Sequence, residues 1–311
     1  MSRALPATPR DSPREPAKPC TTMTFDCVLD ARAGTGECPT WSIPEQALYW
    51  VDIPGKALNR FDPRTGENRV LRMPSDIGSF ALRASGGFVV ALRDGIWLAG
   101  RDGELERRVA EAPYDPAHHR FNDGRADRWG RFWVGGMNEN RDRPSARLWR
   151  LDPDFSLHEM VDGLTVSNGL AWSPGSQTMY HSDTNALTIW AWDFDGPSGT
   201  IRNRRVFAQF SDETHRPDGG AVDSTGHYWS AFFRGGKVVR FAPDGRIVAE
   251  YPTPCACPTM CAFGGPELRT LYVTSASRLR PAEELARFPR SGGVFAMHVD
   301  TPGMPEPYFD G

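Results

Sequence analysis

The chain has 311 residues, 39% hydrophobic and 11% aromatic, enough for one large domain or two ordinary ones with a sizeable core. A formal net charge of −3 argues against nucleic acid or an anionic membrane as the main partner. No apolar run approaches the ~20 residues of a membrane-spanning helix.

The first stretch, residues 1–23, carries Pro6, Pro9, Pro13, Pro16 and Pro19 among charges and has no apolar core of a signal peptide. It reads as a disordered tail, with Met23 the expected native start, the cytoplasm the default compartment and residues 24–311 the folded domain. Phe25–Leu29 is the first strand-like run.

Beyond it a short apolar or aromatic run recurs six times, centred on Trp50, Val89, Trp133, Tyr180, Trp229 and Tyr272, about 39 to 49 residues apart. A second strand-like segment follows each run, such as Leu148-Trp149-Arg150-Leu151 or Ile189-Trp190-Ala191-Trp192. Turns rich in Asp, Pro and Gly follow most of these, as in Asp62-Pro63-Arg64-Thr65-Gly66. Asp127-Arg128-Trp129-Gly130 and Asp223-Ser224-Thr225-Gly226 lead into equivalent runs. Repeats of this length with four short strands predict an all-β, six-bladed β-propeller. The last repeat is one strand short, so Phe25–Leu29 is expected to complete the sixth blade and close the ring. The one convincing helix is Pro281–Phe288, in a loop. Trp149, Trp190 and Trp192 have the spacing of blade-packing residues.

In a propeller, positions of equal phase lie on one ring around the axis. About a dozen residues before the anchors stand Glu37, Gly78, Asn122, Asn168, Asp218 and Cys261. Two carboxylates and two amides converging on one axis make a set of hard oxygen donors, suited to Ca²⁺, Mn²⁺ or Mg²⁺, with zinc or iron as further options. Asn-Gly and Asp-Gly are also ordinary turn dipeptides, but Glu37 has no turn role and the shared phase favours a site. Asp123 should point away from Asn122 and be structural. His181 should turn from the axis or into a blade, His118 and His119 are candidates for the mouth, and His215 for a substrate contact. Cys255, Cys257 and Cys261 form a C-x-C-x3-C run, but no histidine follows and a structural zinc site takes four ligands, so they read as ordinary thiols.

At Gly36-Glu37-Cys38-Pro39-Thr40-Trp41, Arg120-Phe121-Asn122-Asp123-Gly124, Ser167-Asn168-Gly169-Leu170-Ala171-Trp172 and Arg216-Pro217-Asp218-Gly219 the sequence resembles the SMP-30/gluconolactonase/regucalcin-like family of sugar-lactone hydrolases. The resemblance spans roughly Phe25 to Asp300. It implies one divalent metal ion (Ca, Mn, Mg, Zn or Fe) held by Glu37, Asn168 and Asp218. It also implies Asp218 as base and substrate contacts from Arg120 and Asn122, with Asn140 in the loop that faces the substrate in relatives. The family commonly has Gly where Cys38 stands. Tyr180-His181-Ser182-Asp183-Thr184 and Gly292-Gly293-Val294-Phe295 look like bacterial pentono- and hexonolactonases. The expected partner is a small sugar lactone, and the expected assembly a monomer or weak homo-oligomer. Other readings are a calcium-binding regulator, a non-catalytic interaction module, or a hydrolase of another ester.

Overall fold

The computed structural model describes residues 23–311; the proline-rich stretch expected to be a disordered tail lies, apart from Met23, outside the described residues. Asp26–Leu29 is strand β1. Blade one is Gly36–Ser42, Ala47–Asp52, Ala57–Asp62 and Glu67–Arg72 (β2 to β5), and blade two is Ile77–Leu82, Phe88–Leu92, Gly95–Ala99 and Leu105–Glu111 (β6 to β9). Blade three is His119–Ala126, Phe132–Asn138, Ala146–Leu151 and Leu157–Leu164 (β10 to β13). Blade four is Ser167–Trp172, Thr178–Asp183, Thr188–Asp195 and Thr200–Gln209 (β14 to β17). Blade five is Arg216–Val222, Tyr228–Phe233, Lys237–Phe241 and Ile247–Pro252 (β18 to β21). Pro258–Gly264, Thr270–Ser275 and Val294–His298 (β22 to β24) form blade six, and β1 adds its outer strand.

The ring is therefore a six-bladed β-propeller of antiparallel four-stranded sheets. Its closure is the expected one: Asp26 pairs with Ala296 and Cys27 with Phe295, so the first strand covers an edge that would otherwise be open. Burial grades outward within each blade. The inner strands β6, β18 and β22 are buried along both faces, which suits their small and apolar residues. The outer strands β5 and β17 carry Glu67, Arg69, Arg202 and Arg204 into solvent, charges that blunt exposed edges.

The repeated Asp-x-x-Gly turns have a physical purpose. Buried Asp127 accepts from the Trp129 and Arg131 backbone N–H, the Arg131 side chain and the Trp133 indole at 2.7–3.2 Å. Buried Asp223 does the same for Thr225, His227, the Trp229 indole and Arg240. Each carboxylate thus ties a turn to the large aromatic of the strand that follows, and each of its hydrogen bonds is made in a low-dielectric interior.

Register refines the repeat. Trp41↔Leu48, Leu82↔Phe88, Ala126↔Phe132, Trp172↔Met179, Val222↔Tyr228 and Phe263↔Leu271 are equivalent pairs. On that register Tyr49, not Trp50, is the counterpart of Trp133 and Trp229. Every inner strand carries a β-bulge before its pair, which breaks the strict in–out alternation. The helix (α1) runs over Ala282–Arg287 in the loop between β23 and β24, with Pro281 immediately before it.

The C-terminal segment crosses one end of the axial channel. Phe309 is fully buried and bridges Arg83, and Glu306 lies 3.4 Å from Arg125. Arg125 also donates to the Leu170 and Gly220 carbonyls of the two following blades. No helix among the described residues is long and apolar enough to cross a membrane.

Candidate active site

Four residues before each equivalent pair stand Glu37, Gly78, Asn122, Asn168, Asp218 and Thr259. The sixth member of the ring is therefore Thr259, and Cys261 lies two residues beyond it with its thiol on the Trp229 carbonyl. The five members with side chains all line one cavity of about 500 Å³ at the N-terminal ends of the inner strands, opposite the end crossed by the C-terminal segment. That volume is in the range of small-molecule sites.

Glu37, Asn122, Asn168 and Asp218 are each no more than 6% exposed. Burial pushes the Glu37 carboxyl well above its usual range, and the charges of Asp218 and Asp123 push it further. Burial does the same to Asp218, again with Asp123 adding, against the opposing pull of Arg141, Arg216 and Arg120. Asp218 Oδ1 is buried without a hydrogen-bond partner. An unpartnered oxygen on one of two mutually repelling buried carboxylates is a costly arrangement that a cation relieves. The donors also fit: two carboxylates and an amide oxygen are hard ligands, and Glu37, Asn168 and Asp218 share one cavity wall.

Hydrogen bonds orient the amides. Arg120 donates to Asn122 Oδ1 at 2.7 Å, which leaves the Asn122 amide NH₂ to donate to the Ser167 carbonyl and to Asn168 Oδ1. Asn168 in turn donates to the hydroxyl of Thr184, and that hydroxyl donates to the carbonyl of Pro217, the residue before Asp218. Arg120 also reaches its own Phe121 carbonyl and Met137 sulfur, and lies 3.8 Å from Glu139. Glu139 is clasped by Arg93, which also holds Asp76.

Asn140 is exposed and does not line the cavity; the tight turn Asn138–Arg141 places Glu139 and Arg141 there instead. Asp123 does not line the cavity; it is buried behind the site and accepts from the Leu170 N–H, in keeping with a structural role, and it also bears electrostatically on both Glu37 and Asp218. His118, His119 and His215 do not line the cavity: His119 bonds Ser145, and His215 stacks on Phe210. His181 lies fully inside blade four with its Nε2 on the Ser167 hydroxyl. The five described cysteines are free thiols. Cys38 sits at φ 51°, in the left-handed region that favours glycine, which accounts for Gly at that place in the resembled pattern.

Sequence reasoning did not single out Thr184, in the turn after β15, or Thr259, in β22, because a lone threonine gives no signal of its own. It gave no role to Arg141, Arg234 or Arg216, the last of them quoted only as part of a motif, although all three line the same cavity.

Fold and site together define a propeller with a polar axial centre built from the inner strands of four blades. The chain belongs to the family described as SMP-30/Gluconolactonase/LRE-like region, which matches residues 35–277. It is 49% identical over 290 residues to a 6-deoxy-6-sulfogluconolactonase of Pseudomonas putida, an alignment covering 93% of this chain and 99% of the relative. It is 34% identical over 281 residues to the regucalcin of Gallus gallus, covering 88% and 94% of the two chains. Its fold matches that of a calcium-binding regucalcin from Agrobacterium tumefaciens at TM-score 0.88 and 24% identity, over 92% and 97% of the chains.

Proposed function

We propose that this chain hydrolyses a sugar lactone to its aldonic acid in the axial cavity, with a divalent cation as cofactor. The observation that carries the reading is the buried, unpartnered Asp218 carboxylate sharing one cavity wall with Glu37 and Asn168. Those three side chains would hold the cation. When bound, such an ion acts as a Lewis acid on a lactone carbonyl and makes a nearby water more acidic.

Asp218 is the general base. Its carboxylate takes a proton from the attacking water as the water oxygen bonds to the carbonyl carbon. Collapse of the tetrahedral species breaks the bond from that carbon to the ring oxygen. The proton then passes to the departing alkoxide, and the open-chain acid leaves. Arg120 and Asn122 meet the sugar oxygens, held in place by the hydrogen bond between them. The cavity walls supply the orientation. The relative from Pseudomonas putida acts on a gluconolactone bearing a C6 sulfonate, so a six-carbon lactone, neutral or anionic, is the first substrate to try.

Asp218→Asn tests the base. Turnover of gluconolactone should fall by about 10²–10⁴-fold, whereas near-wild-type turnover contradicts the assignment. In chelator the same variant should unfold at a higher temperature than the wild type, since it removes a buried charge crowded by Asp123 and Glu37.

A further inference from the structure

The cavity wall carries six arginines, Arg120, Arg141, Arg216, Arg234, Arg278 and Arg280, against four acids, Glu37, Asp76, Glu139 and Asp218. The acids are largely spoken for. Asp76 and Glu139 are held by Arg93, and Glu37 and Asp218 belong to the axial centre. Arg280 is paired in two places with Glu284 of the helix, outside the cavity wall.

Four remain: Arg278 stands in the loop after β23 of blade six, and Arg141, Arg216 and Arg234 form an unbalanced group. Arg216 and Arg234 share a single oxygen, Glu213 Oε2, at 2.6 and 2.7 Å. Arg216 is 6% exposed, and its Nε is buried with no partner. The Arg141 side chain makes no hydrogen bond or ion pair among the described residues, and the charges of Arg216 and Arg234 both oppose its own. Arg141 and Arg234 hold φ of 55° and 66°, in the left-handed region that favours glycine. Three guanidiniums lining one cavity with Glu213 the one carboxylate paired to them leave donors in a forked geometry that matches a tetrahedral anion.

The three come from the turn after β11, the start of β18 and the turn after β19, so blades three and five present them from two sides. Arg141 and Arg216 both act on the charge of Asp218, which places the group next to the reacting centre. We infer that Arg141, Arg216 and Arg234 form a subsite for an anionic terminal group, a sulfonate or phosphate ester, on the sugar lactone. This rests on the hydrolase reading above for the lactone itself, but the anion subsite has its own readout.

The experiment compares gluconolactone with its 6-sulfo and 6-phospho counterparts, using wild type, Arg141→Gln and Arg234→Gln. Both arginines are exposed, and an unchanged unfolding midpoint confirms the fold of each variant. The expected result is a higher kcat/KM for an anionic lactone in the wild type, with the ratio of anionic to neutral kcat/KM cut about tenfold or more by either variant. Rising salt should narrow the wild-type preference. Calorimetric titration with the product acids, 6-sulfogluconate, 6-phosphogluconate and gluconate, reads the subsite without turnover. Tighter binding of one anion tells sulfonate from phosphate. No preference for either anion over gluconate, or an equal loss on neutral and anionic compounds in the variants, overturns the inference. Arginine-dependent anion binding with no hydrolysis of any lactone leaves the subsite standing and removes the hydrolase reading instead.

Discussion

The Asn122 amide donates to Asn168 Oδ1 across 2.7 Å, linking blade three to blade four at the axis. The direction of that bond is fixed from both ends. Arg120 has only donors, so it must face Asn122 Oδ1; the Thr184 hydroxyl spends its proton on the Pro217 carbonyl, so it must accept from Asn168. The amide oxygen of Asn168 is thereby turned toward Asn122 rather than toward Thr184. Thr184 is a positioning residue for the centre although it carries no ligand atom in the proposal.

Thr184→Val keeps the shape of the side chain and removes the acceptor. Divalent-ion affinity measured by titration should fall about 10–100-fold, and Thr184→Ser should restore it. The lost bonds also leave the Asn168 NH₂ and the Pro217 carbonyl unpaired, at a cost of about 1–3 kcal/mol in denaturant unfolding. Unchanged ion affinity in a Thr184→Val protein would dismiss the positioning role.

His181 sets an acid limit on stability. Burial, with Arg204 adding, holds its pKa down to about 3 against an ordinary value of 6.5. Above about pH 6.5 the imidazole is neutral folded or unfolded. Between about 6.5 and 3 only the unfolded chain takes up the proton, so this group lowers stability as pH falls, by about 1.4 kcal/mol per pH unit. Urea unfolding at pH 7, 6 and 5 should show a shallower acid slope in His181→Asn than in the wild type, whatever the offset between them. Parallel slopes would refute the neutral buried imidazole.

Cys38 lies 1% exposed with its thiol on the Phe80 and Gly124 carbonyls. Burial raises that thiol far above its usual range, so it stays protonated and serves as a donor. Alanine and glycine both lose the sulfur, but only glycine is at ease at φ 51°. Cys38→Gly should therefore be more stable than Cys38→Ala by about 1 kcal/mol, the reverse of the order expected in an ordinary strand. Thermal melts of the two proteins decide it.

Much of the architecture is written in the repeats, because the inner strands and their anchors must be apolar and evenly spaced to pack blade on blade. The strand that closes blade six was legible for the same reason: an edge needs a partner, and Phe25–Leu29 had none. Phase was harder. The hairpin pair is eight residues apart in blade six (Phe263↔Leu271) and six in blade five (Val222↔Tyr228), so counting back from Tyr272 reaches Cys261 instead of Thr259. The charge that Asp123 exerts on Glu37 and Asp218 was not legible, because alternation gives the face a side chain takes and not its distance from its neighbours. Glu37, Asn122, Asn168 and Asp218 stood out because oxygen donors repeat at one phase. The arginine group did not, since it is assembled from two turns and one strand end of different blades.

The most direct test of the account is hydrolysis by metal-stripped protein. Chelated, dialysed enzyme should be assayed on glucono-, galactono-, xylono- and arabinolactone, with Ca²⁺, Mn²⁺, Mg²⁺, Zn²⁺ or Fe²⁺ restored one at a time. The account predicts loss of lactone hydrolysis on stripping, recovery with at least one ion, and no recovery in Glu37→Gln. Full hydrolysis by protein shown to be metal-free would contradict it.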